Sequence, residues 1–366
     1  MLRPIIITLF ILLVFSSCAK RSLSSLHKEG VKVSGSQALL NVSPACASIR
    51  MQYLGCGGFF IQHQGQAIMI DPFFSHQSFL RIGKSIFPGG KIKSKRRELD
   101  YGRRMIKDSL GLTDDDLKLK VKGIFAAHGH YDHLMDVPFI YHEWLNENAD
   151  VFVNTSSALT CANVINPRKL HDVQTIASVR DQRGDSVEFQ QGQAAIRVYP
   201  IFADHNPHSR NVKLFAGSAV RTPQHFKSYE DKTSVNDWLE GQTLSFLIDF
   251  LENDSIQFRM FIQSSSCQFP YGIPPLNLLQ EREIDLAVLG VASYHFSENT
   301  YPCEFLQTLQ PKKLMFIHWE DFFRKLRKRP KAVKTNDIPR FFSDVLSKCS
   351  RDYLLPVPGS VITITR

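Results

Sequence analysis

The stretch that most narrows what this chain can fold into runs from Val121 to His133, VKGIFAAHGHYDH. An apolar run of strand character, Gly123 to Ala127, ends and delivers three histidines and an aspartate within six residues. Side chains two apart at the end of an extended run point the same way, so His128 and His130 can grip one metal ion. Asp132 and His133 fall where the chain is expected to turn into the next helix, and so can face the same cavity from another side. Imidazole nitrogens with one carboxylate suit zinc, and also iron or manganese. A solvated polar loop is the plainer reading. Chance rarely sets these four ligand types at such spacing directly behind a buried strand.

His128, Gly129, His130, Tyr131, Asp132 and His133 match an HxHxDH signature in full. From about Ile49 to its C-terminus the chain resembles the metallo-β-lactamase superfamily. The resemblance implies an α+β fold, a four-layer αββα sandwich with metal ligands on loops at one edge of the paired sheets. Met51 to Phe74 resembles the family's opening, a Gly-rich turn and a hairpin around Gln64-Gly65 that closes on Asp71-Pro72. Asp71 then matches an aspartate beneath the metal site, where a carboxylate orients ligating histidines.

Further along, His205 follows the apolar run Val198 to Ala203 and matches the next metal ligand, completing a three-histidine site with His128 and His130. His208 stands close enough to compete. Lys213 to Val220 resembles the N-acylphosphatidylethanolamine phospholipase-D-like branch. So does the pair His318-Trp319 at the end of the apolar run that starts at Lys312. His318 matches the last metal-site histidine. One position departs from the pattern: where the family has an aspartate bridging two metals, this chain reads RMFIQSSSCQF, and the matching residue is Ser264. Cys267 is offset from it by three residues and is expected to be a buried thiol. His295 is a candidate to line the pocket, and Asp285 fits a structural role.

Residues 1–18 read as a targeting segment: Arg3, then an apolar stretch from Ile5 to Phe15 too short to span a bilayer, then Ser16, Ser17 and Cys18. This resembles a bacterial lipoprotein signal in which Cys18 is lipidated, and Ala19 resembles proteins sent on to the outer membrane. The expected location is the cell envelope, facing the periplasm or the cell surface. Residues 19–45 read as a tether, with an edge strand at Val31 to Val33 as the alternative, and 46–366 as the hydrolase domain. The other cysteines are scattered, and no pairing among them is expected.

Net charge is +9, which favours acidic partners: an anionic small-molecule or lipid substrate, or a membrane surface. Nucleic acid is not expected, because the basic residues gather in two local runs, 91–97 and 324–334, outside any nucleic-acid-binding motif. The long connection from Ser75 to Lys120, with a helix expected near Tyr101 to Leu110, has the length of a lid.

The resemblance thus implies a metal-dependent hydrolase of phosphodiester or ester substrates, using one or two zinc ions, with iron or manganese as alternatives. His128, His130 and His205 would hold the first ion, whose bound water supplies hydroxide at neutral pH. Asp132 would orient or deprotonate that water, and His133 and His318 would bind a second ion or polarise the substrate. Two other readings stand beside it. One is a catalytically weakened metal- or ligand-binding lipoprotein, which Ser264 favours. The other is a mononuclear iron oxidoreductase. The diiron flavoprotein branch is disfavoured, since it carries Glu where this chain has His130.

Overall fold

The structure, a computed structural model, describes residues 22–41, 49–208, 212–297, 301–334, 336–349 and 352–365. The expected targeting segment, with Cys18, and Cys46 lie outside the described residues. In chain order the strands are β1 (Gln37–Asn41), β2 (Ile49–Gly55), β3 (Gly58–His63), β4 (Gln66–Ile70), β5 (Val121–Phe125), β6 (Asp150–Val153) and β7 (Leu170–Asp172). They continue as β8 (Val187–Gln191), β9 (Ala194–Phe202), β10 (Leu244–Glu252), β11 (Ser255–Gln263), β12 (Leu286–Gly290), β13 (Lys313–Ile317), β14 (Tyr353–Leu354) and β15 (Val361–Thr365). One sheet has the order β1-β15-β2-β3-β4-β5-β6-β7, and the other β14-β13-β12-β11-β10-β9-β8.

Alternation along each strand builds the layers. Phe59, Ile61, Ile68, Ile70 and Phe125 turn inward and meet Phe246, Ile248, Met260, Ile262 and Val288 of the other sheet. Their neighbours Phe60, Met69 and Ile124 turn outward under Leu99, Ile106, Leu117 and Trp144. On the far side, Leu247, Phe261 and Leu289 pack against Leu278, Phe305 and Leu306. With both faces of the inner strands covered, their sequences are nearly continuous apolar runs. This is the expected αββα sandwich.

Strand direction decides where a site can form. In the first sheet β2, β4 and β5 run the same way, and in the second so do β9, β11 and β13. The C-terminal ends of these six strands carry Cys56, Asp71, His128, His205, Ser264 and His318.

Three expectations change. The described part of the expected tether, 22–41, is folded onto the domain: Leu26 and Val31 are buried, and β1 pairs in parallel with β15. The edge strand there is Gln37–Asn41 rather than Val31 to Val33, because Leu40 is the residue that reaches the core between the sheets. Two of the scattered cysteines do pair, Cys303 with Cys349, at a Cα–Cα distance of 5.5 Å. A separation of 46 residues hid them from a spacing argument. Cys56, Cys161 and Cys267 are buried free thiols.

The connection from Ser75 to Lys120 forms helices Phe79–Ser85, Arg96–Leu110 and Asp114–Lys120. The second begins five residues before the expected Tyr101 and buries Leu99, Gly102, Ile106 and Leu110 on one face. Gly102 is required there, since a Cβ would lie 2.2 Å from the Phe74 ring. Thr113 opens the third helix with a reciprocal cap: its hydroxyl accepts from the Asp116 N–H, and Asp116 accepts from the Thr113 N–H.

Candidate metal centre

The end of β5 is anchored before the histidines begin. The Ala127 N–H donates to Asp71 Oδ1 at 2.7 Å, and the Ala127 carbonyl accepts from the Leu244 N–H. Gly129 donates its N–H to the Glu240 carbonyl at 2.9 Å. Any side chain at 129 would drive a Cβ to 2.0 Å from the Leu239 carbonyl oxygen, so only glycine separates the two histidines. His130 then caps the short helix Tyr131–Leu134 with extended backbone angles. That turn swings Asp132 and His133 back towards the same edge.

The structure brings His128, His130 and His205 together, with one ring nitrogen from each within 4.8 Å of the others. His128 Nε2 and His130 Nδ1 are 2.9 Å apart. The ring of His205 sits 5.0 Å from that of His128 and 5.1 Å from that of His130, centre to centre. His205 Nδ1 donates to the Asn206 carbonyl at 2.6 Å, which leaves the Nε2 lone pair free. Burial, reinforced by the neighbouring imidazoles, holds all three well below the usual histidine pKa. They are therefore uncharged at neutral pH, and His128 Nδ1 is buried without a partner. Three neutral converging imidazoles fit a zinc-class dication.

His208, the competitor, stacks on His205 with ring centres 4.8 Å apart. Its Nδ1 accepts from the Leu214 N–H at 3.1 Å, and burial lowers its pKa to about 4. It lines the cleft but stands outside the three-histidine group.

Asp71 is the hub beneath. Its Oδ2 lies 3.0 Å from His133 Nδ1 and accepts the Ser264 hydroxyl at 2.5 Å. Burial pulls the His133 pKa down, but the Asp71 carboxylate outweighs it and the net shift is upward. Ser264 is thus committed to Asp71. It is also tightly boxed: a Cβ on Gly57 would lie 2.6 Å from its own Cβ.

A second cluster joins Asp132 and His318 to a residue that the sequence reading passed over, Cys56. His318 Nε2 stands 3.8 Å from Asp132 Oδ2, and His133 Nε2 is 4.0 Å from the same oxygen. Burial raises the Asp132 pKa against the pull of His133, and lowers that of His318 to about 3. A buried bracket ties the two outer turns together. Glu320 accepts from the Cys56 N–H at 2.6 Å and from the Tyr53 hydroxyl at 2.8 Å, while the His318 N–H donates to Tyr53 at 3.0 Å. Burial raises Glu320 to about 7. Cys56, Asp71 and His318 all adopt positive φ, of 53, 42 and 57°, conformations that non-glycine residues hold only where the surroundings enforce them.

The signal for Cys56 was present in the sequence: a soft donor in a Gly-rich turn directly after an apolar strand, the same placement as His128 and His318. Cys267, the thiol weighed instead, points away and contacts Gln263 Nε2 and the Tyr271 carbonyl. His295 does not line the cleft; it is exposed on a short 3-10 turn. Asp285 is structural, accepting from the Arg259 N–H and from Arg282 and Lys312.

The cleft over the cluster has a volume of about 110 Å³. His130, Asp132, His205 and His318 form its floor, and its walls include Phe79, Ile82, Leu214, Phe215, Phe322 and Phe323. Helix Phe79–Ser85 therefore brings the long connection to the mouth of the site. No Lys or Arg is among the lining residues described. Members of the two basic runs are paired elsewhere, Arg96 with Glu143 and Glu230, and Lys325 and Arg327 with Glu98.

No protein-family model matches the chain, and no curated protein does. Among solved structures, it is similar to a metallo hydrolase from the archaeon Ignicoccus hospitalis, at 12% identity over 87% of this chain and 100% of that one, TM-score 0.47. It is similar to the diiron β-hydroxylase CmlA from Streptomyces venezuelae, at 13% identity over 87% and 54% of the two chains, TM-score 0.42. A hydrolase from Thermotoga maritima assigned to the metallo-β-lactamase superfamily aligns at 10% identity over 84% and 98%, TM-score 0.33. The layering of this chain is that of the expected αββα sandwich, and its candidate ligand side chains gather at one edge of the paired sheets.

Proposed function

We propose that the chain is a metal-dependent hydrolase of esters or phosphodiesters that carry an apolar group. The observation that carries this reading is the convergence of three uncharged imidazoles, His128, His130 and His205, the last two of which line a cleft with apolar walls. His128, His130 and His205 would hold an ion of the zinc class, which would supply an acidified water and a Lewis acid. Asp132, at the same floor, is placed to orient the attacking water and take its proton. His318, uncharged, is placed to hydrogen-bond the substrate oxygen, and the aromatic walls would exclude bulk water. His133 is engaged by Asp71 at 3.0 Å.

The test is metal analysis of the full chain purified without added metal, with hydrolysis assays on phosphodiester, ester and lactone panels. A tightly held ion is expected, with hydrolysis that a chelator removes and zinc restores. A chain that binds no metal would sink the proposal. Ser264 favours a second reading, a metal-holding protein without turnover. Bound metal with every substrate in the panel untouched would support it, and bound iron with redox activity would support the oxidoreductase reading.

Export and lipid anchoring at Cys18 belong to the same proposal. They are supported by the apolar stretch before Cys18 and by the Cys303–Cys349 disulfide, a bond favoured in oxidising compartments. Cys18→Ser should abolish lipid labelling and move the protein from membrane to soluble fractions.

A further inference from the structure

We propose that His208 receives the substrate's oxygen: its Nε2–H donates into the cleft beside the three-histidine group, to the carbonyl or phosphoryl oxygen on which negative charge gathers during hydrolysis. The inference rests on the hydrolase reading and deepens it, by assigning His208 a contact with substrate rather than with metal.

Two stacked imidazoles carry their protons on opposite nitrogens. His205 Nδ1 lies 2.6 Å from the Asn206 carbonyl, which can only accept, so the proton sits on Nδ1 and the Nε2 lone pair is free. In His208 the order is reversed. The Leu214 N–H donates to His208 Nδ1 at 3.1 Å, so Nδ1 carries no proton and the ring holds its one proton on Nε2. The two rings are nearly parallel, with centres 4.8 Å apart and planes inclined by 20°. One ring thus offers a lone pair and its neighbour an N–H. Among the described residues none accepts a hydrogen bond from His208 Nε2, and His208 lines the cleft.

The ring is held in place from several sides. The His208 N–H donates to the Val212 carbonyl at 2.9 Å, and Lys213 reaches Asp204 at 2.5 Å and Glu240 at 3.5 Å. The ring centre stands 5.3 Å from that of His130. Metal duty would need a lone pair, and the only one on this ring is spent on Leu214. No Lys or Arg is among the lining residues described, so donors for a substrate oxygen must come from neutral groups. A fixed neutral donor between apolar walls stabilises charge as it develops, at no cost of reorganisation. Being uncharged, it does not require a charged substrate. An ester carbonyl and a phosphodiester offer it the same kind of acceptor.

The experiment compares the zinc-loaded full chain with His208→Phe and His208→Gln, by metal analysis and by calorimetric titration with acetate and with dimethyl phosphate. These two probes present the oxygens of an ester and of a phosphodiester. Zinc content is expected to be the same in all three proteins. His208→Phe should bind at least one probe about 3- to 10-fold more weakly, the range for a neutral hydrogen bond. His208→Gln keeps an N–H donor and should recover part of the loss. The probe that responds more marks the substrate class. Nitrogen-15 NMR of the metal-free chain should find the His208 proton on Nε2, the ring being identified by its signals missing from His208→Phe. A proton on Nδ1, loss of zinc from His208→Phe, or no binding of either probe by the parent would overturn the assignment. If zinc is held and His208→Phe binds both probes as the parent does, only this inference fails. A parent chain that holds no zinc brings down the hydrolase reading with it.

Discussion

The two candidate half-sites share one edge of the fold yet are built in opposite ways. The three-histidine group draws two of its members from positions two apart in one loop, His128 and His130, and needs only His205 from another strand. Cys56, Asp132 and His318 come from three elements, separated by 76 and 186 residues of chain. The first is charge-free and held by backbone contacts around Gly129. The second is acidic and held by the Tyr53–Glu320 bracket. Both need the two sheets in place, the first through His205 alone and the second through His318.

That contrast can be broken by mutation. The largest effect is expected for His128→Ala and His130→Ala, each of which should remove the first ion and lower hydrolysis by more than about 100-fold, the range set by losing an orienting partner alone. Metal analysis checks it, and full occupancy in both variants would mean the site is misplaced.

Next comes Ser264→Asp. The family pattern suggests that a carboxylate here would strengthen the second site, but the structure places it against Asp71, with Gly57 leaving no slack. The metal-free variant should lose on the order of 3 kcal/mol, because two buried carboxylates in contact force one to take a proton. Zinc should recover part of that loss. A thermal melt unchanged from the parent chain would show that Ser264 is free to move.

Asp71→Asn should weaken metal binding by roughly 10–100-fold, less than removal of a histidine, since it acts through His133 and the Ala127 N–H. Titration calorimetry would read the difference.

The smallest effect concerns Glu320, whose folded pKa of about 7 lies above its ordinary 4.5. Folding therefore favours the protonated acid. Its contribution is fully present below pH 4.5 and lost as pH rises through 7. Glu320→Gln should flatten that slope in the metal-free chain and make it somewhat more stable than the parent above pH 7. Parallel slopes in chemical denaturation at pH 5 and pH 8 would argue against it.

Much of this was readable in the sequence, for identifiable reasons. The hairpin around Gln64-Gly65 carries apolar runs bounded by turn residues, and the structure has it there, β3 and β4 flanking those two residues. His128, His130, His205 and His318 each follow such a run, so strand ends betrayed them. Cys56 also follows one, but a lone cysteine between glycines carries no spacing to mark it. The role of Ser264 depends on what stands opposite, 193 residues away in Asp71. The Cys303–Cys349 pairing is equally a property of the folded chain, set by how the segment before Cys349 packs back onto the helix that begins at Cys303.

The pairing of β1 with β15 has a consequence for proteolysis. β15 lies between β1 and β2 in its sheet, so cleavage anywhere between 42 and 48 would free β1 to leave. What remains would be a five-residue border strand with its backbone donors and acceptors open along one side, a template on which other chains can add. The nicked protein should keep its candidate metal ligands, none of which lies on β1 or β15, yet become prone to self-association.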